Sequence, residues 1–132
     1  MLWVITMQDH HSLTVYQESY KLCLGVYQIK FPMDERFAMQ QQLRRSAVSV
    51  PSNIAESCGK DSQADFKRGL YISMGSLKEM ETQIDLCGDL KYITSSMHKE
   101  FKQRIELLGK QLNSLIQKIK EEAKNEQPLA KN

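Results

Sequence analysis

Phe66, Leu70, Ser73, Leu77, Met80, Ile84 and Cys87 recur at strictly alternating spacings of four and three residues. Only an α-helix brings such a series onto one stripe, because its 3.6-residue turn returns a side chain to the same face every three or four positions. A strand would alternate with period two, and no segment of this chain does so. A stripe this long is the seam of a bundle helix and requires partners with seams of their own. Ser62 and Asp65 have capping-box spacing and place the helix start, and the pattern runs to about Leu90. Gly69 and Gly75 interrupt it at a cost of about 1 kcal/mol each relative to alanine. Both are expected to let a neighbouring helix approach closely.

Three further seams answer the first. From about Leu13 to Phe31, the residues Leu13, Tyr16, Tyr20, Cys23 and Tyr27 share one face, with Thr14 and Gln17 at capping-box spacing and Ser12 as a rival cap. Leu22, Val26 and Ile29 form a second apolar stripe beside it, more than a helix with one buried face needs, and are expected to make a subunit contact. Pro32 and Asp34 break the pattern, with Asp34 the expected cap of the next helix. From about Glu35 to Cys58 the stripe is Leu43, Ala47, Val50, Ile54 and Cys58. It continues in register across Pro51, which predicts one helix kinked there, or else two shorter helices. Gly59 marks its end. The last seam is Met97, Phe101, Ile105, Leu108, Leu112, Leu115 and Ile119, fraying towards Lys124. Short connections between four amphipathic helices predict an all-α, antiparallel up-down-up-down four-helix bundle. The expected division is a loosely ordered extension over residues 1–12, the bundle over 13–124 and a polar tail over 125–132. Met7 is an alternative start.

With 132 residues, 41% of them hydrophobic, the chain has one domain's worth of core. Three widely spaced cysteines do not make a disulfide framework and fit a reducing cytoplasm. The apolar run Leu2-Trp3-Val4-Ile5 is too short for a signal peptide, and no stretch approaches the roughly 20 residues of a membrane span, so no membrane association is expected.

Chemistry is harder to find. Di-metal bundles need inward glutamates and Glu-x-x-His pairs, and the chain has none; His10 and His11 precede the first helix and His98 follows Ser95 at that spacing. No Cys-x-x-Cys, phosphate loop or nucleophile elbow occurs. Ser46, Ser49 and Ser52 flank Pro51 without a histidine nearby in sequence and are expected to satisfy backbone and packing. Glu79 and Glu81, two apart on a helix, diverge. The reading is of a chain that is not an enzyme, with no catalytic residue, metal or cofactor.

Charge is uneven. Basic surplus falls on Arg36 to Arg68 and on Lys99 to Asn132, acidic surplus on the segments between and before. Arg44, Arg45, Lys60, Lys67 and Arg68 are the candidate phosphate contacts. Arg44 and Arg45 have a competing role as ion-pair partners of Glu56, Glu79 or Glu81, and the lysines of the last helix one as solvated intrahelical pairs.

The run Gln42-Leu43-Arg44-Arg45-Ser46-Ala47-Val48-Ser49-Val50-Pro51-Ser52-Asn53-Ile54-Ala55-Glu56 resembles the signature of the four-helix-bundle proteins encoded by intervening sequences in 23S rRNA genes, also labelled S23 ribosomal protein. Val15-Tyr16-Gln17, Phe31-Pro32-x-x-Glu35, Gly75-Ser76-Leu77-x-Glu79-x-Glu81-Thr82-Gln83 and Tyr92-Ile93 match in the same order, over roughly Leu13 to Leu115. Ser57 stands where the family usually has glycine, and Gly69 where it usually has a bulky apolar residue. The family is similar to the accessory variability proteins of diversity-generating retroelements. The resemblance implies a homo-oligomer, commonly a pentamer, with a basic surface. For the retroelement relatives it implies binding to RNA and a reverse transcriptase. The expectation is therefore a non-enzymatic oligomer engaging structured RNA or an RNA–protein complex; the alternative is an interaction scaffold with no nucleic-acid role.

Overall fold

A computed structural model describes residues 9–130, with Glu35 and residues 126–130 as backbone only. The expectations that touch Met1 to Gln8, a loose extension and the choice of start, lie outside the described residues. Four α-helices follow one another: α1 (Thr14–Tyr27), α2 (Gln41–Cys58), α3 (Gln63–Asp89) and α4 (Ser95–Ala130). No strand occurs among the described residues.

The helix ends show where local chemistry was legible. Ser62 caps α3 as expected, its Oγ accepting the Asp65 backbone N–H at 3.1 Å. Thr94 caps α4 in the same way, its Oγ1 accepting the Met97 N–H at 3.1 Å. Thr14 does not cap α1. It lies inside the helix, behind a short 3₁₀ turn, His10–Ser12, whose own cap is Asp9. Asp34 is likewise no cap. It sits in a 3₁₀ turn, Met33–Glu35, followed by a π-helical turn, Arg36–Gln40, that runs directly into α2. The α1 helix stops at Tyr27, four residues short of the expected Phe31, yet Ile29 and Phe31 remain buried because the strap after it folds back over the core. Helix α4 runs on through Ala130, where a polar tail was expected from Asn125.

The α3 terminus is held by backbone geometry. Lys91 takes φ 63°, in the left-handed region, while the Tyr92 N–H bonds Cys87 O at 2.9 Å and the Lys91 N–H bonds Gly88 O at 3.1 Å. Those two bonds are a Schellman motif, which turns the chain sharply so that Ile93 is buried at the start of α4.

One core runs the length of the bundle. Val15, Leu22 and Val26 of α1 meet Leu43, Ala47, Val50 and Ile54 of α2, then Phe66, Leu70, Leu77, Met80 and Ile84 of α3 and Phe101, Ile105, Leu108, Leu112, Ile116 and Ile119 of α4. The helices form a ring in which α1 packs on α2, α2 on α3, α3 on α4 and α4 on α1, with the α2–α3 contact the most extensive. The α2 helix passes through Pro51 unbroken, and Pro51 is buried.

The burial reverses one assignment on α1. Leu22, Val26 and Ile29, expected to make a subunit contact, point into the chain's own core. Tyr20, Leu24 and Tyr27 face outward instead. Periodicity showed two apolar stripes on this helix but not which one the other three helices would cover.

Candidate functional site

The signature residues of α2 and α3 meet one another. Ser46 Oγ bonds Glu79 Oε1 at 2.9 Å and Gln42 O at 3.2 Å. One turn on, Ser49 and Ser76 hydroxyls lie 2.7 Å apart, and the Ser73 hydroxyl donates to Val50 O at 2.9 Å. Asn53 Nδ2 donates back to Ser49 O at 2.8 Å. These pairs descend α3 as they ascend α2, so the two helices are antiparallel. The serines around Pro51 thus work as helix–helix and backbone ties, except Ser52, which faces the surface. Glu79 belongs to this seam and Glu81 to another.

The same seam joins the two positions that depart from the family pattern. A Cβ placed on Gly69 would stand 2.1 Å from Ser57 Cβ, 2.5 Å from Ser57 Oγ and 3.1 Å from Asn53 O. Ser57 is therefore tolerated because Gly69 faces it. Gly75 does not share this role: nothing lies within 4 Å of its would-be Cβ.

The five candidate phosphate contacts are not brought together. Arg44 is a structural clamp. Its guanidinium lies 4.4 Å from the Tyr27 ring centroid and donates through Nη2 to Tyr27 O at 3.2 Å, tying α2 to the end of α1. With the Gln40 amide turned to satisfy both groups, the Gln40 oxygen also accepts from Arg44 Nη1 at 2.9 Å. Arg45 is exposed but about 20 Å along α2 from Lys60. Lys60 and Arg68 share one crevice, which Glu56 and Asp65 also line. Lys67 stands apart from that crevice and beside an aromatic residue, Tyr71. It precedes Tyr71 by one turn of α3, and Lys120 of α4 lies 5.5 Å from the Tyr71 ring centroid. Lys124 follows Lys120 by one more turn. Only the tertiary fold pairs Tyr71 with Lys120, so no sequence spacing pointed there.

On the opposite side of the ring, the groove between α1 and α2 is apolar. Tyr16, Tyr20, Cys23, Leu24, Tyr27, Val48, Pro51 and Ala55 line it with Ser52. Between α1 and α2, the 3₁₀ turn leaves Met33 76% exposed and the π-turn leaves Phe37 82% exposed. That is a large apolar surface for a chain whose core is otherwise well covered.

Between α3 and α4 lies an ion network. His98 Nε2 donates to Asp85 Oδ1 at 2.9 Å, and Lys102 Nζ is 3.1 Å from the Asp85 carboxylate and 3.3 Å from Glu81 Oε2. The hydrogen bond from His98 holds the Asp85 carboxyl below its usual range; partial burial opposes this and Lys102 reinforces it. A carboxyl depressed in the folded state stabilises the fold above its unfolded value and loses that contribution as pH falls through its folded value. The bundle should therefore lose stability on acidification below about pH 4, and Asp85→Asn should flatten that acid limb. Denaturant titrations over an acid pH series check this; an identical limb in the variant would exclude Asp85 as a source.

Asp9, His10 and His11 form a second polar cluster at the start of α1, their ligand atoms all within 4.8 Å of one another. An Asp-His-His run lacks the Glu-x-x-His spacing of bundle-core metal sites, so that spacing does not point to it. No helix among the described residues is long and apolar enough to cross a membrane.

Comparison with known proteins places this architecture. No curated protein matches the chain significantly. Among solved structures, the fold is similar to a Bacteroides thetaiotaomicron protein of unknown function from the S23 ribosomal protein family. The two are 26% identical with a TM-score of 0.72, over 78% of this chain and 98% of the other. The model of the 23S rRNA-intervening sequence protein family matches residues 11–114, which span all of α1, α2 and α3 and more than half of α4. With its signature residues meeting along the α2–α3 seam, the chain belongs to the 23S rRNA-intervening sequence protein family.

Proposed function

We propose that this chain is a non-enzymatic binding protein that self-associates through the α1–α2 groove and engages structured RNA, or an RNA–protein complex, through the lysines of the α3–α4 edge. The observation that carries the reading is the groove itself. Tyr20, Leu24, Tyr27 and Val48 are each more than 40% exposed along one face, a surface that a solitary bundle gains nothing by displaying. A second copy is the occupant the family resemblance suggests. Because α1–α2 and α3–α4 are opposite pairs in the ring, an assembly built on the groove leaves Lys67, Tyr71, Lys120 and Lys124 at its outer surface. Lysines contact phosphates as point charges, and a tyrosine between them offers a stacking face to an unpaired base. Such contacts give affinity without base preference.

A scaffold with no nucleic-acid role is the second reading. It is favoured by Arg44 being spent on Tyr27 and by the acids that line the crevice of Lys60 and Arg68.

Titration of the protein with a structured RNA across a salt series, with molar mass measured alongside, separates the two. Affinity should fall steeply as salt rises, and Lys67→Ala with Lys120→Ala should reduce the log–log slope by about two. Negligible binding at low salt, from a protein that is still oligomeric, would establish the scaffold reading in its place.

A further inference from the structure

The turn ahead of α1 gathers three metal-ligating side chains that neither the core nor the RNA-binding reading uses. Asp9 accepts the His11 backbone N–H at 3.2 Å, and its Oδ1 lies 2.8 Å from His11 Nδ1 and 3.8 Å from His10 Nδ1. Consecutive residues of a 3₁₀ turn project about 120° apart, so two adjacent imidazoles do not share a direction without support. Tyr16 supplies it. Its ring meets His10 edge-on at 4.8 Å and His11 at 5.5 Å between centroids, while the two imidazoles lie 4.1 Å apart at 31°. The turn is fixed from below by Ser12 Oγ donating to Asp9 O and by Gln17 Nε2 donating to His11 O, both at 2.8 Å.

We propose that Asp9, His10 and His11 form a site for a divalent transition-metal ion of the zinc class, with the remaining coordination position open to water. Two imidazoles and one carboxylate are a ligand set of open zinc sites, whereas calcium and magnesium favour all-oxygen shells. Tetrahedral bonds of about 2.0–2.2 Å put neighbouring ligand atoms about 3.3–3.6 Å apart. The two distances to Asp9 Oδ1, 2.8 and 3.8 Å, lie on either side of that separation, and all three ligand atoms fall within 4.8 Å of one another, so the imidazoles must turn towards each other to close on an ion. Ligation through Nδ1 takes the His11 tautomer that carries its hydrogen on Nε2, so the ion replaces the His11–Asp9 hydrogen bond at the freed Nδ1 lone pair.

The test is calorimetric titration of the full, metal-free chain with zinc chloride, repeated on Asp9→Asn, His10→Ala, His11→Ala and His98→Ala. Asp9→Asn keeps an acceptor for the His11 N–H, so the turn survives while the charge is lost. The expected result is about one zinc ion per chain. Affinity should fall at least about tenfold in each of the first three variants, with helical signal intact, and stay unchanged in His98→Ala. His11→Gln, which retains a nitrogen donor for Asp9, should lose zinc while preserving the turn. No uptake by the parent chain overturns the proposal. So does parental affinity in both His10→Ala and His11→Ala, which would place any bound zinc elsewhere.

Discussion

Gly69→Ala should destabilise the protein by about 2 kcal/mol or more, although alanine is the better helix former by about 1 kcal/mol. The sign reverses because the new methyl would enter at 2.1 Å from Ser57 Cβ, where ordinary contacts are 3.4–4 Å. Helix α2 must then retreat from α3, stretching the Ser49–Ser76 and Ser73–Val50 bonds just ahead of Pro51. In thermal unfolding the midpoint should drop by about 8 °C. Ser57→Gly in the same chain should recover much of the loss, because it removes the atoms that the methyl strikes. The double-mutant cycle should therefore show a favourable coupling of about 1–2 kcal/mol. Gly75→Ala is the internal control. Its site is open, so it should gain up to about 1 kcal/mol from helix propensity alone. A neutral Gly69→Ala, or a double variant no better than the single one, would mean that α2 and α3 do not approach so closely.

The second large effect separates the two faces of α1. Leu22 is 2% exposed and Leu24 is 51% exposed. Leu22→Ala should cost about 3 kcal/mol by leaving a cavity in the core. Leu24→Glu should change stability by no more than about 0.5 kcal/mol, yet lower the molar mass of the assembly by placing a charge in the apolar groove. Denaturant midpoints and light scattering on the two variants give the comparison. If Leu24→Glu leaves an oligomeric parent unchanged in mass, the groove is not where copies meet. If the parent is itself monomeric, the self-association reading is wrong.

How far the sequence could be read depends on which forces are local. The 3–4 spacing of Phe66 through Cys87 fixes a helix whatever surrounds it, and Ser62 with Asp65 fixes its start, because both depend only on chain geometry over a few residues. The run around Pro51 pointed to the family by its resemblance to a known signature, and not by geometry. Thr14 and Asp34 misled for a related reason. Each has the right side chain for a cap, but the chain enters α1 and α2 through 3₁₀ and π turns that put Leu13 and Gln40 at the cap positions, neither with a side-chain cap bond.

The candidate site was less legible. Arg44 and Arg45 look alike in sequence, and only the arrival of Tyr27 from α1 turns one into a clamp and leaves the other exposed. Lys67 and Lys120 are 53 positions apart, and Lys120 reaches Tyr71, one turn beyond Lys67, only across the α3–α4 contact. Asp9, His10 and His11 are contiguous, but their convergence depends on Tyr16.

What the sequence determined by itself was the helical class and the four seams, since periodicity and capping act within a turn or two of chain, and, through the likeness of its Gln42–Glu56 run to a known signature, the family. What only the tertiary structure decided was which apolar stripe of α1 faces inward, which basic side chains are spoken for, and that Ser57 and Gly69 are partners. Each of these is a contact between residues remote in sequence, set by how four helices share one core.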